Sequence, residues 1–188
     1  MSFLPSSPGI TNFRDVMQMY PQRSVLMLRL IDDIMRGDSP LTVAERELIF
    51  AYGSGQNACN FCYQSHRPVA AAFGIDESVF DELMTSIDGS SVDERLKPIL
   101  RFVQKLTLTP SRMTQADADA ILDAGWDEQA LVDVVSICAV HNFFNRFVDG
   151  VGVDVDTATA RRSGEEVLPT IGYAGLADRL EEAEGGNP

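Results

Sequence analysis

The sequence predicts an all-α domain, a bundle of about seven to nine helices at ordinary helix lengths. Apolar residues recur at three-and-four spacing along most of the chain, and several of these runs are preceded by capping patterns. No convincing period-2 strand or hairpin signal interrupts them. The 188 residues suffice for one well-cored domain and are short for two. We expect that domain over residues 1–177, with a Glu-rich tail at 178–188 that frays.

Residues 11–36 carry Phe13, Val16, Met17 and Tyr20, then Val25, Leu28, Leu30, Ile31 and Ile34. Pro21 divides them into two helical pieces meeting at a kink, and Gly37 ends the second. Thr42 and Glu45 form a capping-box pattern opening a helix that should run to about Tyr52 and stop at Gly53-Ser54-Gly55. Asn57 suits the N-cap of the next helix, which carries Cys59, Cys62, His66 and Ala70 toward Gly74, with a kink expected at Pro68.

Asp76 opens a short helix through Leu83. Ser91 and Glu94 read as a further capping box before Leu96, Ile99, Leu100, Val103 and Leu106. Thr114 to Asp117 starts a small helix ending near Gly125. Residues 127–149 form the longest and most apolar helix, with Leu131, Val134, Val135, Cys138, Val140 and Phe144. Apolar residues crowd most of its faces, which places it at the centre of the core or at a seam between subunits.

The charge balance narrows the function. Fifteen basic against 28 acidic side chains give a net charge of −13. That is unfavourable for binding phosphate backbones or anionic membranes, so neither nucleic acid nor membrane is an expected partner. The apolar stretches read as broken by charges within about a dozen residues, too short to span a bilayer. The opening residues carry no basic and apolar leader pattern, so the expected location is the cytoplasm, a reducing compartment.

Against that background the cysteines stand out. Two of the three form Cys59-Asn60-Phe61-Cys62, and Cys138 lies apart in an apolar run, where it reads as a small buried hydrophobe. Cysteines paired at this spacing in a reducing compartment point to redox or metal chemistry. On a helix, positions 59, 62 and 66 fall on one stripe, so two thiols and an imidazole share a face near a helix start. Helix amides and the Cys-X-X-Cys arrangement favour a thiolate there, with Cys59 the more acidic because it lies nearer the helix start. A thiolate can attack a peroxide, and its neighbour can condense with the resulting sulfenic acid. Glu47 lies twelve residues before Cys59, and returns toward His66 if the two helices fold back on each other.

Alternative readings of the same residues are chance or core packing, or a zinc site made by Cys59, Cys62, His66 and a fourth ligand. One straight helix wraps poorly around a tetrahedral ion. Haem attachment is excluded because Tyr63 follows Cys62, and no βαβ pattern supports a thioredoxin-type fold. No cofactor or metal is expected. His141, in an apolar helix, reads first as a satisfied core group, and Asn145 and Arg146 as residues holding helices or subunits together.

Glu47, Asn57-Ala58-Cys59-Asn60-Phe61-Cys62-Tyr63-Gln64-Ser65-His66, Ala70 and Gly74 together resemble the core of the alkylhydroperoxidase D and carboxymuconolactone decarboxylase superfamily. Asn142-Phe143-Phe144-Asn145-Arg146 through Gly150 resembles the later helix of its peroxidase-related members. The resemblance covers residues 35–155. It implies an all-α fold, a homo-oligomer (trimer or hexamer), and a thiol peroxidase that takes a small-molecule peroxide and is re-reduced by an external dithiol. It also implies that Cys62 attacks the peroxide, Cys59 resolves, and His66 with Glu47 relays protons. The order of the cysteines follows the resemblance, because His66 lies one turn from Cys62. Alkylhydroperoxidase D carries a second histidine where this chain has Phe61, so a simpler relay is implied; the decarboxylase branch lacks the cysteine pair. A general dithiol–disulfide oxidoreductase or redox sensor, and a non-enzymatic metal-binding or assembly protein, are the alternative functions.

Overall fold

The computed structural model describes residues 2–5, 10 and 12–185. Among these the chain is helical throughout, with no strand. The helices are α1 (Phe13–Met19), α2 (Pro21–Arg36), α3 (Val43–Gln56), α4 (Asn60–Ala72), α5 (Ser78–Thr85), α6 (Leu96–Leu108), α7 (Gln115–Asp123), α8 (Glu128–Val151), α9 (Thr157–Arg162) and α10 (Leu168–Gly185). A π-helical turn at Ser163–Val167 runs α9 into α10.

Local chemistry explains most boundaries. Asn12 caps α1 by accepting from the Asp15 amide, and Pro21 starts α2 at a position where its missing N–H costs nothing. The Thr42–Glu45 and Thr114–Asp117 capping boxes both close. The Ser91–Glu94 box does not. Ser91 instead donates from both its amide and hydroxyl to Glu82 Oε2, each at 2.7 Å, and α6 begins only at Leu96.

The centre of the bundle is α3 rather than α8. Every residue from Arg46 to Ser54 is buried, including Leu48, Ile49, Phe50 and Tyr52. α4, α8, α6 and α5 pack around it. Arg46 ties α3 to the end of α2, donating from Nη1 to the Ile34 carbonyl at 3.2 Å and the Gly37 carbonyl at 2.8 Å. These are carbonyls that a helix C-terminus leaves without partners.

The glycines expected to end α3 lie inside it. A Cβ on Gly53 would fall 2.3 Å from His141 Nε2, so this glycine lets α8 approach α3 closely. A Cβ on Gly55 would likewise meet Met84 at 2.8 Å. The chain reverses instead at Asn57–Cys59, where Ala58 takes the left-handed conformation at φ 55°. The helix α4 also continues through Pro68, which packs so closely on the π turn that a Cβ on Gly164 would meet its Cγ at 2.7 Å.

The most apolar helix, α8, buries Ala130, Val134, Ile137, Cys138, His141, Phe144, Asn145 and Val148 and leaves Val132, Val135 and Phe143 exposed. By length and composition alone it is long and apolar enough to cross a bilayer, which corrects the expectation that no stretch is. In the fold the helix packs on α3, α6, α2, α4 and α7, and its apolar character reflects that burial.

The tail expected to fray from residue 178 is helical to Gly185, and residues 186–188 lie outside the described residues. α10 docks on α2, with Arg29 Nη2 at 2.6 Å from Asp178 and 2.9 Å from Glu181. Its acidic residues therefore have a cationic partner that composition alone does not reveal.

Candidate active site

The Asn57–Cys59 turn folds α4 back along α3 and brings Glu47 to His66. Glu47 Oε2 lies 2.6 Å from His66 Nδ1, and Glu47 is fully buried. A carboxylate at this distance accepts the Nδ1 hydrogen and leaves Nε2 as the basic nitrogen. Phe50, one turn along α3 from Glu47, stacks on the imidazole with centroids 3.6 Å apart and planes 17° apart. The ring is thus held both in its plane and in its tautomer.

Two further residues complete the carboxylate's surroundings, and the sequence did not announce either. Tyr173 donates its hydroxyl to Glu47 Oε1 at 2.9 Å and lies 3.4 Å from His66 Nδ1. Arg36 Nη2 is 2.8 Å from Oε1, an ion-pair contact, and its guanidinium lies over the Tyr173 ring at 4.9 Å. Burial drives the Glu47 pKa up, but His66 and then Arg36 outweigh it and hold the carboxyl below its usual value. Burial and the neighbouring carboxylate push the Tyr173 phenol well above its ordinary value, so it stays a donor.

Tyr173 reaches this position through Gly172. The helix breaks there, with φ 64° and ψ −170°, and Asp32 Oδ1 caps the restart by accepting from the amides of Tyr173 and Ala174, each at 2.8 Å. A Cβ on Gly172 would lie 2.8 Å from that oxygen. Only glycine combines this backbone conformation with that contact. Asp32 and Arg36 lie one turn apart on α2 and meet a partner more than a hundred residues away, so no local pattern marked either of them.

Cys59 is the N-cap residue of α4 rather than a residue within it, and Cys62 lies in its first turn. Asn57, expected to cap this helix, instead donates from Nδ2 to Asn142 Oδ1 at 3.0 Å and Asn145 Oδ1 at 2.8 Å. The buried Asn145 in turn donates to Ser54 Oγ at 2.9 Å. This amide chain pins the reversal against α8.

All three cysteines are free thiols, and Cys59 and Cys62 lie 3.4 Å apart. A hydrogen bond from Cys62 lowers the Cys59 pKa despite burial. The reciprocal effect and desolvation push Cys62 well above the ordinary thiol value, with Asn145 working weakly the other way. Cys59 is therefore the more acidic of the two, with the Cys62 thiol donating to it, and the pair titrates as a unit. This matches the acidity order argued from the helix start. Access is the reverse: Cys62 and His66 line a cavity of about 470 Å³, and the fully buried Cys59 does not.

Among the described residues, no group of three or more His, Cys, Asp or Glu side chains is arranged to hold a metal ion. His141 sits apart from this cavity, fully buried, 3.4 Å from Thr107 Oγ1 and from Asn145 Oδ1. Cys138 is equally buried beside Thr107.

No family model matches the sequence, and no curated protein matches it. Solved structures do. The alkylhydroperoxidase AhpD core of an uncharacterized peroxidase-related protein from Ralstonia eutropha JMP134 superposes with a TM-score of 0.73 at 21% identity, covering 80% of this chain and 78% of that one. An uncharacterized peroxidase-related protein from Silicibacter sp. TM1040 gives a TM-score of 0.67 at 22% identity, covering 72% and 71%. The chain therefore has the all-α fold of the alkylhydroperoxidase D core, as the resemblance of its motif implied.

Proposed function

We propose that the protein is a thiol peroxidase in which Cys62 attacks, Cys59 resolves, and His66 held by Glu47 handles protons. The observation that carries this reading is the arrangement of the site: Cys62 and His66 share one cavity, with the partner thiol 3.4 Å from Cys62. Both solved neighbours bear the description peroxidase-related, which supports the same class.

Ionisation of the pair places one proton on His66 Nε2, and the other passes from Cys62 to Cys59, which leaves the thiolate on the sulfur facing the cavity. Cys62 Sγ attacks the terminal oxygen of the hydroperoxide, so an S–O bond forms as the O–O bond breaks. The departing alkoxide takes a proton from the His66 side and leaves as an alcohol, or as water when the substrate is hydrogen peroxide. Glu47 offsets the positive charge that the ring carries when protonated. Cys59 then attacks the Cys62 sulfenic sulfur, forming the disulfide and releasing the second oxygen as water. An external dithiol supplies the two electrons and two protons that restore the thiols.

The same proposal includes a reducing, cytoplasmic setting and an assembly of several copies. The exposed Val132, Val135 and Phe143 face of α8 is a site for such contacts. Peroxide consumption driven by dithiothreitol tests the proposal. Wild-type protein should turn over tert-butyl hydroperoxide catalytically and Cys62→Ser should not; equal rates for the two would refute it.

A further inference from the structure

The cavity in front of Cys62 is far larger than hydrogen peroxide needs. At roughly 30 Å³ per water-sized atom, two oxygens occupy about 60 Å³, whereas the cavity holds about 470 Å³. Its size falls within the range of pockets that enclose whole organic ligands. Most of its wall is apolar, formed by side chains such as Phe13, Met17, Leu28, Ile31, Phe144 and Val148. Hydrogen peroxide would gain nothing from such a wall, while an alkyl chain would be desolvated by it.

The charged side chains of the cavity are mostly cationic. Arg14, Arg162 and Arg179 all line it, in a chain where acidic residues outnumber basic ones 28 to 15. Arg14 and Arg179 form no ion pair among the described residues, although carboxylates outnumber cations on this protein. Arg162 is 3.4 Å from Glu166, an exposed contact. The cavity's one acidic residue, Asp156, is committed to the start of α9, where it accepts from the Ala158 amide at 3.3 Å and from the Thr159 hydroxyl. Unpaired cations at an apolar cavity suit a ligand with a long apolar body and an anionic end.

We infer that the substrate class is the hydroperoxide of a long-chain carboxylic acid. Its chain would lie along the apolar wall with the hydroperoxide at Cys62, and its carboxylate would meet Arg14 and Arg179. The inference rests on the peroxidase reading above and adds the identity of the peroxide. The reaction is the one already balanced: the fatty hydroperoxide becomes the hydroxy acid and water, while the Cys59–Cys62 dithiol becomes the disulfide.

The test compares kcat/KM for hydroperoxy-octadecadienoic acid, its methyl ester and tert-butyl hydroperoxide, with dithiothreitol as reductant and lipids kept below micelle-forming concentration. The free acid should exceed its ester by roughly 3- to 30-fold, as expected for two exposed charge contacts. The Arg14→Gln/Arg179→Gln double variant should abolish that preference. Both side chains are exposed, so the fold does not depend on them. Arg112→Gln, which removes an unpaired arginine outside the cavity, should leave the preference intact. Equal values for acid and ester, in protein that turns over tert-butyl hydroperoxide, would overturn the inference while the peroxidase reading stood. No turnover of any of the three would overturn both.

Discussion

Glu47 and His66 meet inside the bundle at 2.6 Å, a carboxylate and an imidazole brought together by the fold-back of α4 on α3. The contact fixes which imidazole nitrogen is basic. Removing the ring should therefore cost more than removing the charge behind it. His66→Ala is expected to lower kcat with tert-butyl hydroperoxide by about 10²- to 10⁴-fold, the range for a positioned acid–base group. Glu47→Gln should fall between that variant and wild type. An effect near unity for His66→Ala would remove it from the relay.

The two cysteines should differ in what they leave behind. Cys62→Ser should abolish turnover, since the remaining thiol of the pair is fully buried and does not line the cavity. Cys59→Ser should stop the cycle after the first step, with a sulfenic acid on Cys62 that dimedone traps and mass spectrometry locates. Trapping on Cys59 in the Cys62→Ser protein, with none in the reciprocal variant, would reverse the order.

Tyr173 supports the site from the far end of the chain. Tyr173→Phe removes a hydrogen bond to a buried carboxylate and should lower stability by about 1.5–3 kcal/mol in denaturant titration. Gly172→Ala should be at least as damaging, because it adds a Cβ 2.8 Å from Asp32 Oδ1 in a backbone conformation that L residues avoid. Wild-type stability for either would mean that α10 is held by other contacts.

Acid stability should carry a signature of His141. Burial lowers its pKa to about 4 from 6.5. Between those values the unfolded chain takes up a proton that the folded chain refuses, so stability is lost as pH falls from 6.5 toward 4. The full loss is on the order of 3 kcal/mol, from about 1.4 kcal/mol per unit. Glu47, whose pKa is depressed, adds its own loss only below the ordinary carboxylate range. Denaturant titrations of wild type and His141→Asn at pH 7, 6 and 5 separate the two, and the variant should show the flatter profile.

The fold was largely legible because helices announce themselves locally. The Thr42 and Thr114 capping boxes, Pro21 at a helix start and the apolar periodicity of α6 and α8 each depend on residues a few positions apart. The errors came where a residue's role is set from a distance. Gly53 reads as a helix stop but serves the approach of His141, and Asn57 reads as a cap but bonds to α8. The site divides in the same way. Cys59, Cys62, His66 and Glu47 sit within twenty residues on one helical hairpin; spacing singled out the two cysteines and the histidine, and the resemblance singled out Glu47. Tyr173 arrives from 126 residues beyond Glu47 through a glycine break, and no local pattern encodes that return.

The central claim is that Cys59 and Cys62 form one peroxide-reducing pair, and counting thiols tests it most directly. Fully reduced, metal-free protein is treated with one equivalent of tert-butyl hydroperoxide, and free thiols are measured before and within seconds after. The account predicts a fall from three thiols to one, with Cys59 linked to Cys62 in the peptide map and Cys138 untouched. Three thiols surviving unchanged would contradict it.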